Sequence, residues 1–209
     1  MAMTGVLRPG HIQIRVLDLN VSRKFYRDVV GLVETGTDAQ GRVYFKCWDE
    51  RDHHSIVLRQ ADRAGVDFVG FKVLDTATLN QLEAAVRAFG LETERLPAGD
   101  LLETGERVRF QLPTGHLFEL YAHKKHVGNG LGQTNPPPWG PDAERGIAPV
   151  RFDHCLLYGP NIAANKKLFT EVLGFYLVER ILGPKEVGEP EAAIFLSCSH
   201  KTHDIAFVE

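Results

Sequence analysis

The sequence predicts an α+β protein built from tandem β-α-β-β-β modules, and an internal repeat is the main reason. The segment that begins at His11 (HIQIRVLDLN) recurs from His154 (HCLLYGPN), and FYRDVVGL recurs as LFTEVLGF at the same spacing. Further along, HHSIVL with His54 corresponds to THDIAF with His203, although the second copy is slightly longer. Because each unit of such a repeat needs a neighbour to bury its apolar face, the repeat predicts duplicated domains.

Composition restricts the class of protein and its partners. The chain has 209 residues, of which 44% are hydrophobic and 24% charged, as in ordinary globular proteins. A net charge of −3 without a basic run argues against nucleic acid as a partner, and the absence of a long apolar stretch argues against a membrane. Cys47, Cys155 and Cys198 form no CxxC pair, so we expect buried, reduced thiols and a cytoplasmic location.

The first module begins with an alternating strand over residues 11–16. The helix VSRKFYRDVV follows, and either Asp18 or Asn20 could cap its start. Gly31 suits the left-handed conformation that ends a helix. Further strands are predicted at RVYFKCW and SIVLRQ.

The second module repeats this order. A strand over VDFVGFKV precedes a helix over residues 76–89, which either Asp75 or Thr76 could cap and which Gly90 ends. Strands are predicted around RVRFQL and HLFELYA.

Residues 124–149 contain five Gly and five Pro, too many for a helix or a central strand. They predict a linker between an N-terminal domain of two modules, residues 1–123, and a second domain that begins at residue 150. Residues 150–209 supply one module of that domain, with a strand at VRFDHCLLYG, a helix near NIAANKKLFTEVLG and a strand at HDIAFVE. A single module leaves an unpaired strand and an uncovered apolar face, so we expect a longer protein with about one further module.

Six segments closely resemble the two-domain extradiol catechol dioxygenases of the vicinal oxygen chelate superfamily. They are VLRPGHIQIRVLDLN, DAQGRVYFKCW, GVDFVGFKV, LPAGDLLETGERVRFQLPTGHLFELYA, APVRFDHCLLYG and SHKTHDIAFVE, which together extend across the whole chain. The resemblance implies two glyoxalase/dioxygenase-like domains, the second incomplete here. It also implies a homotetrameric Fe(II) enzyme that uses O2 to open catechol next to its diol, yielding 2-hydroxymuconic semialdehyde.

The resemblance assigns roles to two histidines. His154 matches the first metal ligand of the family, and His203 matches an acid–base histidine that lies outside the metal's ligands. The family's second His and its Glu ligand are expected beyond Glu209, which is not itself a ligand. Two His and one carboxylate leave a face of Fe(II) open, and a neutral imidazole can take a catechol proton and later return it.

Strand alternation predicts apolar and aromatic neighbours for both histidines. Those expected on the same face are Phe152, Leu156 and Tyr158 for the first histidine, and Ile205 and Phe207 for the second. His200 falls on the opposite side near a turn, so we expect a solvated surface residue.

The corresponding N-terminal positions are His11, Phe68 and Glu119. Phe68 cannot ligate a metal, so the resemblance implies a structural, non-catalytic domain. Gln13 and Arg15 share a strand face with His11, which favours charge pairing of Glu119 over metal binding.

Two other functions remain open from the sequence. One is a glyoxalase-type isomerase, in which both halves of a paired cavity supply ligands, although Phe68 argues against it. The other is a metal-free module that binds a small molecule.

Overall fold

The computed structural model of the protein describes residues 5–128 and 145–209. The chain divides into two compact units, which are described separately. The first unit comprises Met1–Pro9, Gly70–His123 and Asp153–Glu209, and the second comprises Gly10–Val69 and Lys124–Phe152. The domain limits at residues 123 and 149 rest on the sequence repeat and stay a prediction.

The second unit contains the first module. Its elements are β1 (Val6–Val16, from Gly10 onward), α1 (Leu19–Asp28), β2 (Val33–Thr37), β3 (Val43–Lys46), β4 (Ile56–Gln60) and the start of β5 (Gly65–Val73). The strand order is β2-β3-β4-β1-β5, in which β2 is antiparallel to β3, β3 is antiparallel to β4, and β4 is parallel to β1. Helix α1 packs on a core that includes Leu32, Phe45 and Leu58.

The first unit contains the second module. After the last residues of β5 come α2 (Thr76–Ala88), β6 (Thr93–Leu96), β7 (Arg107–Gln111) and β8 (Leu117–Tyr121). In this unit the strand order is β1-β5-β8-β7-β6, and β6, β7 and β8 are antiparallel.

The third module lies in the first unit as well. It consists of β9 (Cys155–Tyr158), α3 (Ile162–Lys167) with a π-helical turn (Leu168–Val172), β10 (Tyr176–Leu182), a 3-10 turn (Lys185–Val187), β11 (Glu191–Ser197) and β12 (Ile205–Val208). The strand order is β10-β11-β12-β9, in which only β12 and β9 are parallel. The predicted β-α-β-β-β pattern of the modules is therefore confirmed.

The structure decides which residues cap α1 and α2. Asp18 Oδ1 accepts a hydrogen bond from the Val21 amide at 2.9 Å, and Asp75 Oδ1 accepts one from the Thr78 amide at 2.7 Å. Asn20 and Thr76, the alternatives, lie inside the helices. A carboxylate one position before the first turn can reach the exposed amides of that turn, which explains the choice.

Some strands have no clear signal in the sequence. β2 (VETGT) and β6 (TERL) are short, rich in polar residues and at the ends of the strand order in their units, and β10 is exposed along its whole length. An edge strand has one solvated side, so its sequence need not alternate between apolar and polar residues.

An aromatic cluster forms the centre of the first unit and joins its second and third modules. The Phe169 ring lies 5.4 Å from Phe118, 4.9 Å from Phe175 and 5.3 Å from Phe207, and Phe118 stacks on Phe71 at 5.0 Å. Phe169 is fully buried. Aromatic pairs at these distances add to the stability that burial of their surface provides.

We expect Phe169→Ala to lower the free energy of unfolding by about 3 to 5 kcal/mol, because it leaves a cavity where three rings meet. Urea denaturation followed by circular dichroism would measure the change. Phe25→Ala is the matched control, since Phe25 on α1 is 50% exposed. Equal losses for the two variants would contradict this account of the core.

The predicted linker is described only at its ends, since residues 129–144 lie outside the described residues. The Ile147 amide donates to the Val29 carbonyl at 3.0 Å, and Arg145 Nε donates to the Arg27 carbonyl at 2.8 Å. The C-terminal end of the segment is thus fixed to the last turn of α1.

All three cysteines are free thiols, as predicted. Burial raises the pKa of Cys47 and of Cys155 to about 12, and it raises the pKa of Cys198 as well. Such thiols carry little thiolate at neutral pH and are poor nucleophiles or metal ligands. Within residues 5–128 and 145–209, no helix is long and apolar enough to cross a membrane.

Candidate functional site

His154 lies immediately before β9 with 48% of its side chain exposed. Its Nδ1 lies 2.9 Å from Asp153 Oδ2, a distance at which the ring donates to the carboxylate. This contact favours the tautomer with the proton on Nδ1 and the lone pair on Nε2, which can then bind a metal.

His203 stands beside His154 although the two are far apart in the sequence. Their ring centroids are 4.5 Å apart with the planes at 71°, and the His203 ring is also 5.3 Å from Phe195. The parallel pairing of β12 with β9, in which Ile205 faces Cys155, brings the two histidine segments to the same end of the sheet.

The predicted alternation of side chains is confirmed within β9. Leu156 and Tyr158 are 43% and 72% exposed, whereas Leu157 between them is 7% exposed and belongs to the core. At the opposite edge of the same sheet, β10 is exposed along its whole length and carries apolar side chains such as Ile181 and Leu182.

The prediction that His203 shares a face with Ile205 and Phe207 is wrong. His203 precedes β12 and contacts Phe195, whereas Phe207 points into the core against Phe169. Alternation applies only within a strand, and the bend at Asp204 separates His203 from it. The aromatic neighbour of His203 is therefore Phe195 and not Phe207.

A charged network that the sequence does not predict lies around these histidines. Lys201 Nζ lies 3.1 Å from Asp153 Oδ1 and 3.0 Å from Asp204 Oδ1. Burial alone would raise the pKa of both carboxyls, but hydrogen bonds outweigh it and hold each pKa below its usual value. The main donors are His154 and Lys201 for Asp153, and Lys201 and Ser197 for Asp204. The only signal in the sequence is the density of polar residues in SHKTHD.

His154 fits one position of a metal site, but its neighbours do not complete one. Across the described residues, no three His, Cys, Asp or Glu side chains are grouped so that they could hold a metal ion. His203 directs its ring at the ring of His154, an arrangement suited to a proton carrier beside a ligand.

The N-terminal positions in the second unit differ from a metal site. His11 is fully buried, its ring meets Phe68 edge-on at 5.8 Å, and its Nδ1 lies 3.0 Å from Lys124 Nζ. Lys124 Nζ also donates to the His54 carbonyl at 2.9 Å. A lysine ammonium donates hydrogen bonds and repels cations, so this environment does not suit a metal.

Glu119, in the first unit, is fully buried and charge-paired, as predicted. Arg107 Nη1 donates to its Oε2 at 2.6 Å, and Arg109 Nε donates to its Oε1 at 2.7 Å. These partners differ from the expected ones, because the face that Gln13 and Arg15 share with His11 predicts a pair with that strand. Arg15 Nε instead lies 3.3 Å from an oxygen of Asp67.

Comparisons with known proteins agree with this arrangement. Residues 66–125 match the catechol 2,3-dioxygenase-like N-terminal domain, and residues 151–209 match the glyoxalase/bleomycin resistance protein/dioxygenase superfamily. A metapyrocatechase from Pseudomonas sp. (strain CF600) is 51% identical over 205 residues, which cover 98% of this chain and 66% of the relative. A manganese-dependent 2,3-dihydroxybiphenyl 1,2-dioxygenase from Geobacillus genomosp. 3 is 29% identical over 82% of this chain and 55% of its own length. The chain thus spans between about half and two thirds of the length of these curated relatives.

A solved structure is also similar over the whole length of the chain. The crystal structure of the 2,3-dioxygenase LapB from Pseudomonas sp. KL28 matches the whole chain with a TM-score of 0.96 and 67% identity, and this chain covers 72% of it. The α+β class with glyoxalase/dioxygenase-like modules is therefore confirmed. With this identity and both domain matches, the chain belongs to the extradiol dioxygenases related to catechol 2,3-dioxygenase.

Proposed function

We propose that the protein is a catechol 2,3-dioxygenase that inserts O2 into the catechol ring next to the diol and releases 2-hydroxymuconic semialdehyde. The observation that supports this function best is the pair of imidazoles, His154 and His203, whose ring centroids are 4.5 Å apart beside the sheet face that carries Phe195. An aromatic diol needs apolar surface for its ring and a proton acceptor for its hydroxyls, and this face offers both.

His154 is our proposed metal ligand, through Nε2. We propose that a second His and a Glu from polypeptide outside these 209 residues complete the set, since no three suitable groups meet in residues 5–128 and 145–209. Fe(II) is the proposed metal, although a related dioxygenase is named as manganese-dependent. When bound by two His and one carboxylate, such a metal offers open positions for both catechol oxygens and for O2.

His203 is the proposed acid–base group. Its ring lies between the His154 ring and Phe195, so it is close to a ligand of the metal without being one. In the neutral form it takes a proton from a catechol hydroxyl, and as imidazolium it returns a proton to the developing product. Phe195, Leu156 and Tyr158 would pack against the ring of the substrate.

Cytoplasmic location and a homotetramer complete the proposal. Three free cysteines in the described residues suit a reducing compartment. The tetramer rests on the family resemblance, and the apolar residues exposed on β10 are surface that further polypeptide or another subunit could cover.

We expect the polypeptide encoded by the complete reading frame, loaded with Fe(II), to turn colourless catechol yellow under air with one O2 consumed per catechol. The yellow colour arises because ring opening next to the diol yields a conjugated aldehyde. The same preparation should sediment as a tetramer. Controls are the same mixture without O2 and the Zn(II)-loaded protein, since Zn(II) has no redox chemistry. Catechol and its methyl derivatives left unchanged under air would refute the function.

A further inference from the structure

Lys201 connects the two loops that carry the candidate site histidines. Its Nζ lies 3.1 Å from Asp153 Oδ1, next to His154, and it also donates to the Asp153 carbonyl. The same Nζ lies 3.0 Å from Asp204 Oδ1, next to His203. One ammonium group therefore links the residues that adjoin both imidazoles.

Asp204 makes this link rigid. Its side chain is completely buried, and Oδ2 accepts hydrogen bonds from Ser197 Oγ and the Cys198 amide, both at 2.9 Å, and from Ser199 Oγ at 3.0 Å. A carboxylate held by three donors has a fixed position, so Lys201 is anchored from the interior of the first unit.

Asp153 needs such an anchor. Half of its side chain is exposed, and an exposed carboxylate exchanges readily between rotamers and water. Lys201 engages Oδ1 while Oδ2 accepts from His154 Nδ1 at 2.9 Å, so the two carboxylate oxygens have different partners. Loss of the lysine would release Asp153, and His154 would then lose the acceptor that keeps its proton on Nδ1.

We propose that Lys201 is a positioning residue: with Asp204 as its anchor, it holds Asp153 so that His154 keeps the Nδ1–H tautomer and presents the Nε2 lone pair to the site. It also ties the His203 segment to that of His154. The expected effect of Lys201 on metal affinity rests on the proposed function. Its expected effect on the tautomer of His154 does not depend on that function.

A purely structural lysine would behave differently. Ion pairs with exposed partners contribute little to folding, so removing the Asp153 contact should matter less for stability than for the state of His154. Lys166 provides a matched control, because it is 30% exposed against 28% for Lys201 and pairs with Glu191 elsewhere in the same unit.

The tautomer can be measured in the 209-residue chain by long-range proton–nitrogen NMR of the imidazoles, at pH about 8.5 where a histidine of ordinary pKa is neutral. We expect the Nδ1–H form of His154 in the unmodified chain, in Lys201→Arg and in Lys166→Met. In Asp153→Ala and Lys201→Met the Nε2–H form should dominate. An unchanged tautomer in Lys201→Met would overturn the proposal. If that variant does not fold, Lys201→Gln replaces it, with the same expectation and the same contrary outcome.

Metal affinity provides the second measurement, made on the polypeptide of the complete reading frame by anaerobic Fe(II) titration. Lys201→Met should bind Fe(II) about 10 to 100 times more weakly, the usual effect of losing support for a ligand, and Lys201→Arg should restore the affinity. Undiminished affinity in Lys201→Met, in a protein that cleaves catechol, would refute the positioning role alone. An unmodified protein that neither holds iron nor cleaves catechol would refute the proposed function while the NMR result stands.

Discussion

Replacing His154 by alanine is expected to abolish both metal binding and ring cleavage in the polypeptide of the complete reading frame. A set of two His and one carboxylate that loses one imidazole keeps only two protein ligands, too few to hold Fe(II) against water. Elemental analysis of the dialysed protein should show less than a tenth of an iron per chain, and oxygen uptake with catechol should fall to the rate of the buffer. The 209-residue chain, in whose described residues His154 is the one proposed ligand, should likewise keep no stoichiometric iron.

His200→Ala is the matched control for this prediction. His200 is an exposed imidazole on the loop between β11 and β12, so its loss removes a histidine near the site without removing a proposed ligand. Iron and activity should both persist in it. If His154→Ala still held one iron per chain, ligation would have to come from other residues, and His11 and Glu119 would be the first to replace.

His203→Phe should keep the metal but slow turnover at saturating catechol by a factor of about 10² to 10⁴, the usual contribution of a positioned acid–base group. Phenylalanine preserves a ring between His154 and Phe195, where the present centroid distances are 4.5 and 5.3 Å, so the packing is retained while the proton carrier is lost. Steady-state kinetics together with iron analysis would separate the two effects.

Phe195→Leu serves as the control for His203, because it loosens the packing of the imidazole without removing its proton chemistry. Its turnover should fall less than tenfold. An empty metal site in His203→Phe would make His203 a ligand and would refute the division of roles between the two histidines.

Several features of the fold follow from local patterns in the sequence. Gly31 adopts φ +84° just after α1, as its position at the end of the repeat FYRDVVGL predicts. Leu157 is buried between exposed Leu156 and Tyr158, as strand alternation requires. These features were predictable because the capping of a helix and the two faces of a strand depend on residues only a few positions apart.

Other features depend on partners that are distant in the sequence. Glu119 could have paired with Arg15, but antiparallel pairing of β7 and β8 places Arg109 directly opposite it and Arg107 two residues along the same strand. Alternation predicts that His203 shares the face of Phe207, but a bend before β12 turns it to Phe195. Both outcomes depend on register and loop conformation.

By itself, the sequence determined the repeated modules, the approximate positions of their principal helices and strands, and the two histidines that correspond to His11 and His54. Only the tertiary structure decided that His154 and His203 meet, because parallel pairing of β9 with β12 must first join segments from opposite ends of the module. The partners of Lys201 were also decided only by the tertiary structure. That lysine lies in a loop without periodicity, so the direction of its side chain follows from the buried carboxylate of Asp204 and from no local preference of the chain.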